Sequence, residues 1–185
     1  MPYEPPPELA ALSLDQVAGL VAARKLPPVD QWSIAETGAE TGDSEMRIAA
    51  DGRWFHQDGE IRRPAMVRAF ASLLTSDEEG RHWLVTPAQK LSIAVEDAAF
   101  IAVDVKRDAD TLVFRLNTDD LVMAGPEHPV TVEGNAETPA IYVAVRHGTR
   151  ARLNRSTYAQ LIEIALESDD LSVTSQGARF SLVPA

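Results

Sequence analysis

The chemistry this chain could do is concentrated in a few short stretches. In "DGRWFHQDGEIRRPAMVRAF", residues 51 to 70, Trp54 and His56 stand two apart, Arg62 and Arg63 follow, and Pro64 marks a helix start. In "YVAVRHGTRARLNR", residues 142 to 155, Arg146, Arg150, Arg152 and Arg155 occur with no acid among them. A guanidinium fork binds phosphate or carboxylate at two points, and a helix start adds free backbone N–H groups and partial positive charge. Arg62 and Arg63 in one arm, and Arg152 and Arg155 in the other, are therefore candidate anion ligands, with Arg146 beside them. The plain alternative is pairing with nearby acids such as Asp58, Glu60 or Glu163 on a solvated surface. Trp54 and His56 share a strand face if the stretch is extended, so a ring and an imidazole could stack on and hydrogen-bond a planar ligand. A core tryptophan and a histidine donating to a backbone carbonyl fit the spacing as well. Lys90 in "TPAQK" is a further candidate cation, with an ordinary surface lysine as its alternative.

Catalytic signatures are missing. Glu96 and Asp97 are adjacent, so in a strand they point to opposite faces and do not make an acid–base pair. The histidines at 56, 82, 128 and 147 show neither HxH nor HxxxH spacing, and no nucleophile elbow or phosphate-binding Gly-rich loop occurs. With no cysteine, thiolate catalysis, disulfides and cysteine-ligated zinc are excluded. No metal and no cofactor is expected.

Elements must position these groups. Leu9, Leu12, Val17, Leu20 and Val21 recur at helical spacing, predicting a helix over 8 to 25 that Pro27 and Pro28 end. Residues 34 to 45 are small and polar and read as a surface loop. Then "MRIAA", Asp51-Gly52 and "RWFHQ" read as strand, turn, strand, and Asp58-Gly59 repeats the turn at the far end. From Pro64 onward Met66, Ala69, Phe70, Leu73 and Leu74 form an amphipathic stripe, followed by the strand "RHWLVTP". Period-two alternation then runs from Ile93 to Val145 with turns between, an antiparallel meander. Aligning Arg63 with Arg155 matches two helices without a gap, Met66 on Tyr158, Ala69 on Leu161, Phe70 on Ile162 and Leu74 on Leu166. That suggests an internal strand–arm–helix repeat, with Pro64 and Ser156 at equivalent helix starts.

Composition bounds the rest. A chain of 185 residues that is 45% hydrophobic can bury one substantial core or two small ones. A net charge of -11 repels polyanions at long range, which argues against an extended nucleic-acid surface, but residues 1 to 45 hold eight acids against Arg24 and Lys25. A local cationic site fits inside this acidic protein. No apolar run is long enough to insert in a membrane, and "MPYEPPPELAA" lacks the base and apolar block of a signal peptide, so a soluble cytoplasmic protein is expected. Fourteen of the 17 basic residues are arginine, which suits a GC-rich bacterial source.

The ordered segments "DGRWFHQDGEIRR", "LVTPAQKLSIAVEDAAF", "NTDDLVMAGPEHP" and "YVAVRHGTRARLNR" resemble a bacterial domain-of-unknown-function family, DUF1285, over roughly residues 46 to 158. Ala99 stands where that pattern commonly has a proline. The resemblance implies two domains with a duplicated motif, a C-terminal part similar to pleckstrin-homology folds, and a nucleotide-like ligand at the domain interface in a signalling role. The expected fold is α+β: an N-terminal helix and hairpin domain over 1–87, and a C-terminal antiparallel half-open barrel over 88–185, capped by the helix at 156 to 167. The expected function is a non-catalytic module binding a small anionic ligand at the domain interface. The alternatives are a hydrolase of a phosphorylated or acidic small molecule, with His56 or His147 as base, and an adaptor whose sheet edge takes a protein partner.

Overall fold

The computed structural model describes residues 40–86 and 89–185, together with Ser13, Asp15 and Gln16. Most of the helix expected over 8 to 25 lies outside the described residues. Ser13 is not helical, and it exchanges reciprocal bonds with Gln16: the Ser13 N–H donates to Gln16 Oε1 at 2.8 Å and the Gln16 N–H to Ser13 Oγ at 3.2 Å. This is a helix-start box, so the expected unbroken helix is corrected at Ser13, a residue whose hydroxyl competes with helix interiors.

The chain divides into two units. The first holds the described residues from 40 to 99 together with Arg146–Thr149, and the second holds Ser13, Asp15, Gln16, Phe100–Val145 and Arg150–Ala185. In the first, strands β1 (Glu40–Ile48), β2 (Trp54–His56) and β3 (Gly59–Glu60) lead to helix α1 (Pro64–Ala71), then to β4 (Leu74–Ser76), β5 (His82–Val85) and β6 (Gln89–Val95). They form one sheet in the order β3-β2-β1-β6-β5-β4. Neighbours are antiparallel except β1 and β6, which run parallel. Met46, Ile48, Trp54, Leu74, Leu84 and Ile93 are buried with Ala71 of α1.

Part of the expected loop is a strand, since β1 begins at Glu40 and pairs with β6 from Gln89 onward. Thr41, Gly42 and Asp43 near its start are exposed, so main-chain pairing carries that part of the strand and no buried side chain there marks it in the sequence. The turns also differ in detail. Gly52 takes φ 91, but the β2–β3 turn places Gln57 (φ 48) and Asp58 (φ 65) in the left-handed region and leaves Gly59 as a strand residue opposite His56. The tight two-residue hairpin is one position earlier than Asp58-Gly59.

The second unit contains β7 (Phe100–Asp108), β8 (Thr111–Leu116), β9 (Leu121–Met123), β10 (Val130–Gly134), β11 (Pro139–Ala144), β12 (Arg150–Leu153), α2 (Arg155–Ala165), β13 (Ser172–Ser175) and β14 (Ala178–Ser181). The sheet order is β10-β11-β12-β7-β8-β9, with β13 and β14 a separate hairpin. β12 and β7 are parallel, which corrects the all-antiparallel expectation. Alternation reports which face is buried and says nothing of strand direction. β9 and β10 end the strand order unpaired with each other, so no closed barrel forms among the described residues. They also run in the same direction, and only Ala124–Pro129 joins them. A flat sheet would separate these edges by about 24 Å, near the full reach of that connection before any return along the strand, so the sheet must curl. Phe100, Leu112, Phe114, Leu116, Ile141 and Leu161 fill its core.

Both sheets share one plan: two three-stranded meanders, with the first strand of the first parallel to the last strand of the second. The repeat expected from the helices takes a different form. α1 joins the two meanders of its sheet, whereas α2 follows the last strand of its own, and two of the four aligned positions have opposite burial. Ala69 is exposed where Leu161 is buried, and Leu74 is a buried strand residue where Leu166 is 68% exposed.

Candidate functional site

The three residues of β2 deliver Trp54 and His56 to different surroundings. Trp54 is 1% exposed and its ring stacks on Phe70 of α1, with centroids 6.5 Å apart. Its Nε1 has no hydrogen-bond partner among the described residues. His56, next to the Gln57–Asp58 turn, is exposed, and its imidazole has no hydrogen bond or ion pair among the described residues, so no carboxylate orients its ring.

Arg62 is 82% exposed and pairs with Glu60 at 3.2 Å, a surface ion pair worth at most about 1 kcal/mol. Arg63 is the N-cap residue of α1, extended at φ -83 and ψ 112, and its side chain makes no cap bond. Pro64 has no N–H, and the Met66 and Val67 N–H groups both donate to the Arg63 carbonyl. That leaves the Ala65 N–H without a partner among the described residues, two positions after the exposed Arg63.

The start of α2 is built differently from expectation. Asn154 is the N-cap: its Oδ1 accepts the Thr157 N–H at 2.9 Å, and the Ser156 hydroxyl donates to the same oxygen at 3.1 Å. Ser156 therefore supports the cap and does not form it. Arg155 is the first helical residue and exposed, and its N–H and that of Ser156 have no partner among the described residues. Arg152 lies half-buried in β12, opposite Tyr142 and beside Ile101.

Elsewhere the guanidiniums are engaged. Arg47 pairs with Glu96, Arg53 with Asp51, Arg81 with Asp77 and Glu79, Arg115 with Asp119, Arg150 with Glu133, and Arg179 with Asp170. Arg146 donates to the Ala71 carbonyl at 3.2 Å, and burial lowers its guanidinium to about 10. Lys90 is half-buried with Nζ 4.4 Å from the centre of the Trp83 ring. Arg63, Arg107 and Arg155 are the arginines whose guanidiniums have no ion pair or hydrogen bond among the described residues. Each helix start thus carries an exposed arginine whose guanidinium is uncommitted and at least one backbone N–H without a partner among the described residues.

Reading the sequence missed the group around Trp83. Its indole N–H donates to Asp77 at 3.0 Å, and that bond foremost, opposed by desolvation and joined by bonds from Arg81 and the Glu79 N–H, brings the carboxyl down to about 2. The spacing of Asp77, Arg81 and Trp83 across a hairpin was the available signal. Among the described residues, no three His, Asp or Glu groups stand where they could hold a metal.

The family model of the domain of unknown function (DUF1285), N-terminal domain, matches residues 27–98, and that of its C-terminal domain matches residues 99–182. The chain belongs to the DUF1285 family. A DUF1285 family protein of Silicibacter pomeroyi DSS-3 is similar in structure with a TM-score of 0.76 at 35% identity, over 94% of this chain and 96% of the other. A DUF1285 family protein of Shewanella baltica OS155 shares the fold at 23% identity, with a TM-score of 0.53 over 64% of this chain and 90% of that one. No curated protein matches. Both DUF1285 domains are thus present, and among the described residues no helix is long and apolar enough to cross a membrane.

Proposed function

We propose that this DUF1285 protein is a non-catalytic signalling module that binds a small anionic ligand, with a nucleotide-like phosphate as the best chemical fit. The observation behind the proposal is the state of Arg63 and Arg155. Each is exposed at a helix start and unclaimed by any acid among the described residues, in a protein whose net charge is -11. A long, rotamer-rich cation held near free N–H groups in an acidic chain is chemistry suited to an incoming anion. A soluble cytoplasmic setting and a second unit resembling a pleckstrin-homology fold belong to the same proposal.

The exposed His56, with no carboxylate behind it, favours this reading over a hydrolase that uses it as base. An adaptor reading needs a long free edge strand. β3 has two residues and β4 and β9 three each, while β14 packs beside β10.

The test is calorimetric titration of the full chain with inorganic phosphate, then with nucleoside mono- and diphosphates. Arg63→Ala and Arg155→Ala should each weaken binding by about 1.5 to 3 kcal/mol, the range for hydrogen bonds to charged groups, and leave unfolding midpoints nearly unchanged. Arg62→Ala, whose guanidinium already has Glu60, should bind almost as wild type. Unchanged binding in both helix-start variants rejects the proposal.

A further inference from the structure

An α-helix leaves its last four carbonyls without helical donors, and in α1 every one is satisfied. The Ser72 N–H donates to Arg68 O at 3.1 Å, the Ser72 hydroxyl to Ala69 O at 2.6 Å, and the Leu73 N–H to Phe70 O at 2.9 Å. The last, Ala71 O, is reached by Arg146 Nη2 at 3.2 Å, from 75 positions away in the chain. Ala71 is fully buried, so water cannot replace that donor.

The turn carrying Arg146 is seated on β4 of the same unit. The Ser76 N–H donates to His147 O at 2.9 Å. Gly148 takes φ 77, and a Cβ there would lie 2.6 Å from Ser76 O. No other residue allows both that conformation and that approach at no cost. A helix of eight residues with no side-chain cap at its start is too short to stand by itself. Its seat comes from Phe70 on Trp54 and from the closure of its far end, where a cation also meets the partial negative charge.

We infer that Arg146 is a positioning residue: by closing the C-terminal end of α1 from the Arg146–Thr149 turn, it fixes the helix and with it the Arg63 end at which the anion is proposed to bind. The effect on binding rests on the function proposed above; the effect on the helix does not.

Hydrogen exchange and tryptophan emission of the full chain test the two parts separately. In Arg146→Ala, amides from Val67 to Leu73 should exchange about tenfold faster or more, the loss of one charge-assisted bond expressed as a local opening, while amides of β8 keep their protection. With Trp54 as the single tryptophan, in a Trp32→Phe and Trp83→Phe background, emission should shift to the red as Phe70 leaves the ring. Arg146→Lys, which keeps one charged donor, should restore part of both signals. Gly148→Ala, which displaces the turn and leaves the guanidinium intact, should reproduce them, and it replaces Arg146→Ala if that variant does not fold. Unchanged α1 exchange and Trp54 emission in Arg146→Ala and Gly148→Ala overturn the inference. A loosened α1 with unchanged phosphate affinity upholds Arg146 as the residue that seats the helix and rejects the anion site at Arg63.

Discussion

Trp54 and His56 are two residues apart on one short strand, and the fold treats them oppositely. Trp54 sits where β2 crosses the core against Phe70, while His56 is already at the turn. Spacing alone could not separate these cases, because strand alternation gives a face and not the point at which the core ends. Trp54→Ala should destabilise by about 3 to 5 kcal/mol in urea unfolding, whereas His56→Ala should stay within about 0.5 kcal/mol. Trp54→Phe should cost much less than the alanine variant, since it keeps a ring against Phe70 and removes the unpartnered Nε1. Asp77 makes a pH-dependent contribution. The Trp83 indole bond foremost, then the Arg81 bonds, hold its carboxyl at about 2 against an ordinary 3.8. Its stabilising effect is complete above the ordinary value and is lost as pH falls through the lowered one. Wild type should therefore exceed Asp77→Asn in thermal midpoint at neutral pH, with the gap closing below pH 3.8 towards about 2. A constant gap across that window would show that Asp77 acts through something other than its charge.

At the scale of elements, the start of α2 shows how a sequence signal can be right in kind and wrong in position. "LNRSTY" offers Asn154 and Ser156, both good caps, and only the extended backbone of Asn154 (φ -70, ψ 173) decides between them. Asn154→Ala should cost about 1 kcal/mol, and Ser156→Ala no more than a few tenths, by chemical denaturation. Equal losses would mean that the two hydroxyl and amide groups share the cap. The β2–β3 turn has the same character, because Asp58 does take a left-handed φ but is paired there with Gln57 and not Gly59. Gln57 is held by its N–H to Glu45 O at 3.0 Å and by its side-chain amide to Glu45 Oε2 at 2.6 Å. Those bonds come from the neighbouring strand, which no local motif in residues 51 to 60 can reveal.

For the whole molecule, the charge of -11 and the proposed anion site pull in opposite directions, and distance decides which one salt reveals. At about 0.1 M salt the Debye length is about 10 Å, so distant acids are already screened and the remaining attraction is that of the guanidinium at the site. Phosphate affinity in the titration above should thus fall as salt rises from about 0.1 to 1 M. Affinity that holds or rises would place binding elsewhere than on an exposed arginine. The sequence by itself determined the α+β class, most strands of both sheets, the two helices that carry Arg63 and Arg155, and the family, because alternation, turn residues and helix starts are local signals. It did not determine the parallel β1–β6 and β7–β12 junctions, the strand at residues 40 to 45, or the common plan of the two sheets. Nor did it show Arg146 closing a helix that precedes it by 75 residues. These depend on which distant backbones share hydrogen bonds, and pairing across such separations leaves no mark on either partner's own neighbourhood in the chain.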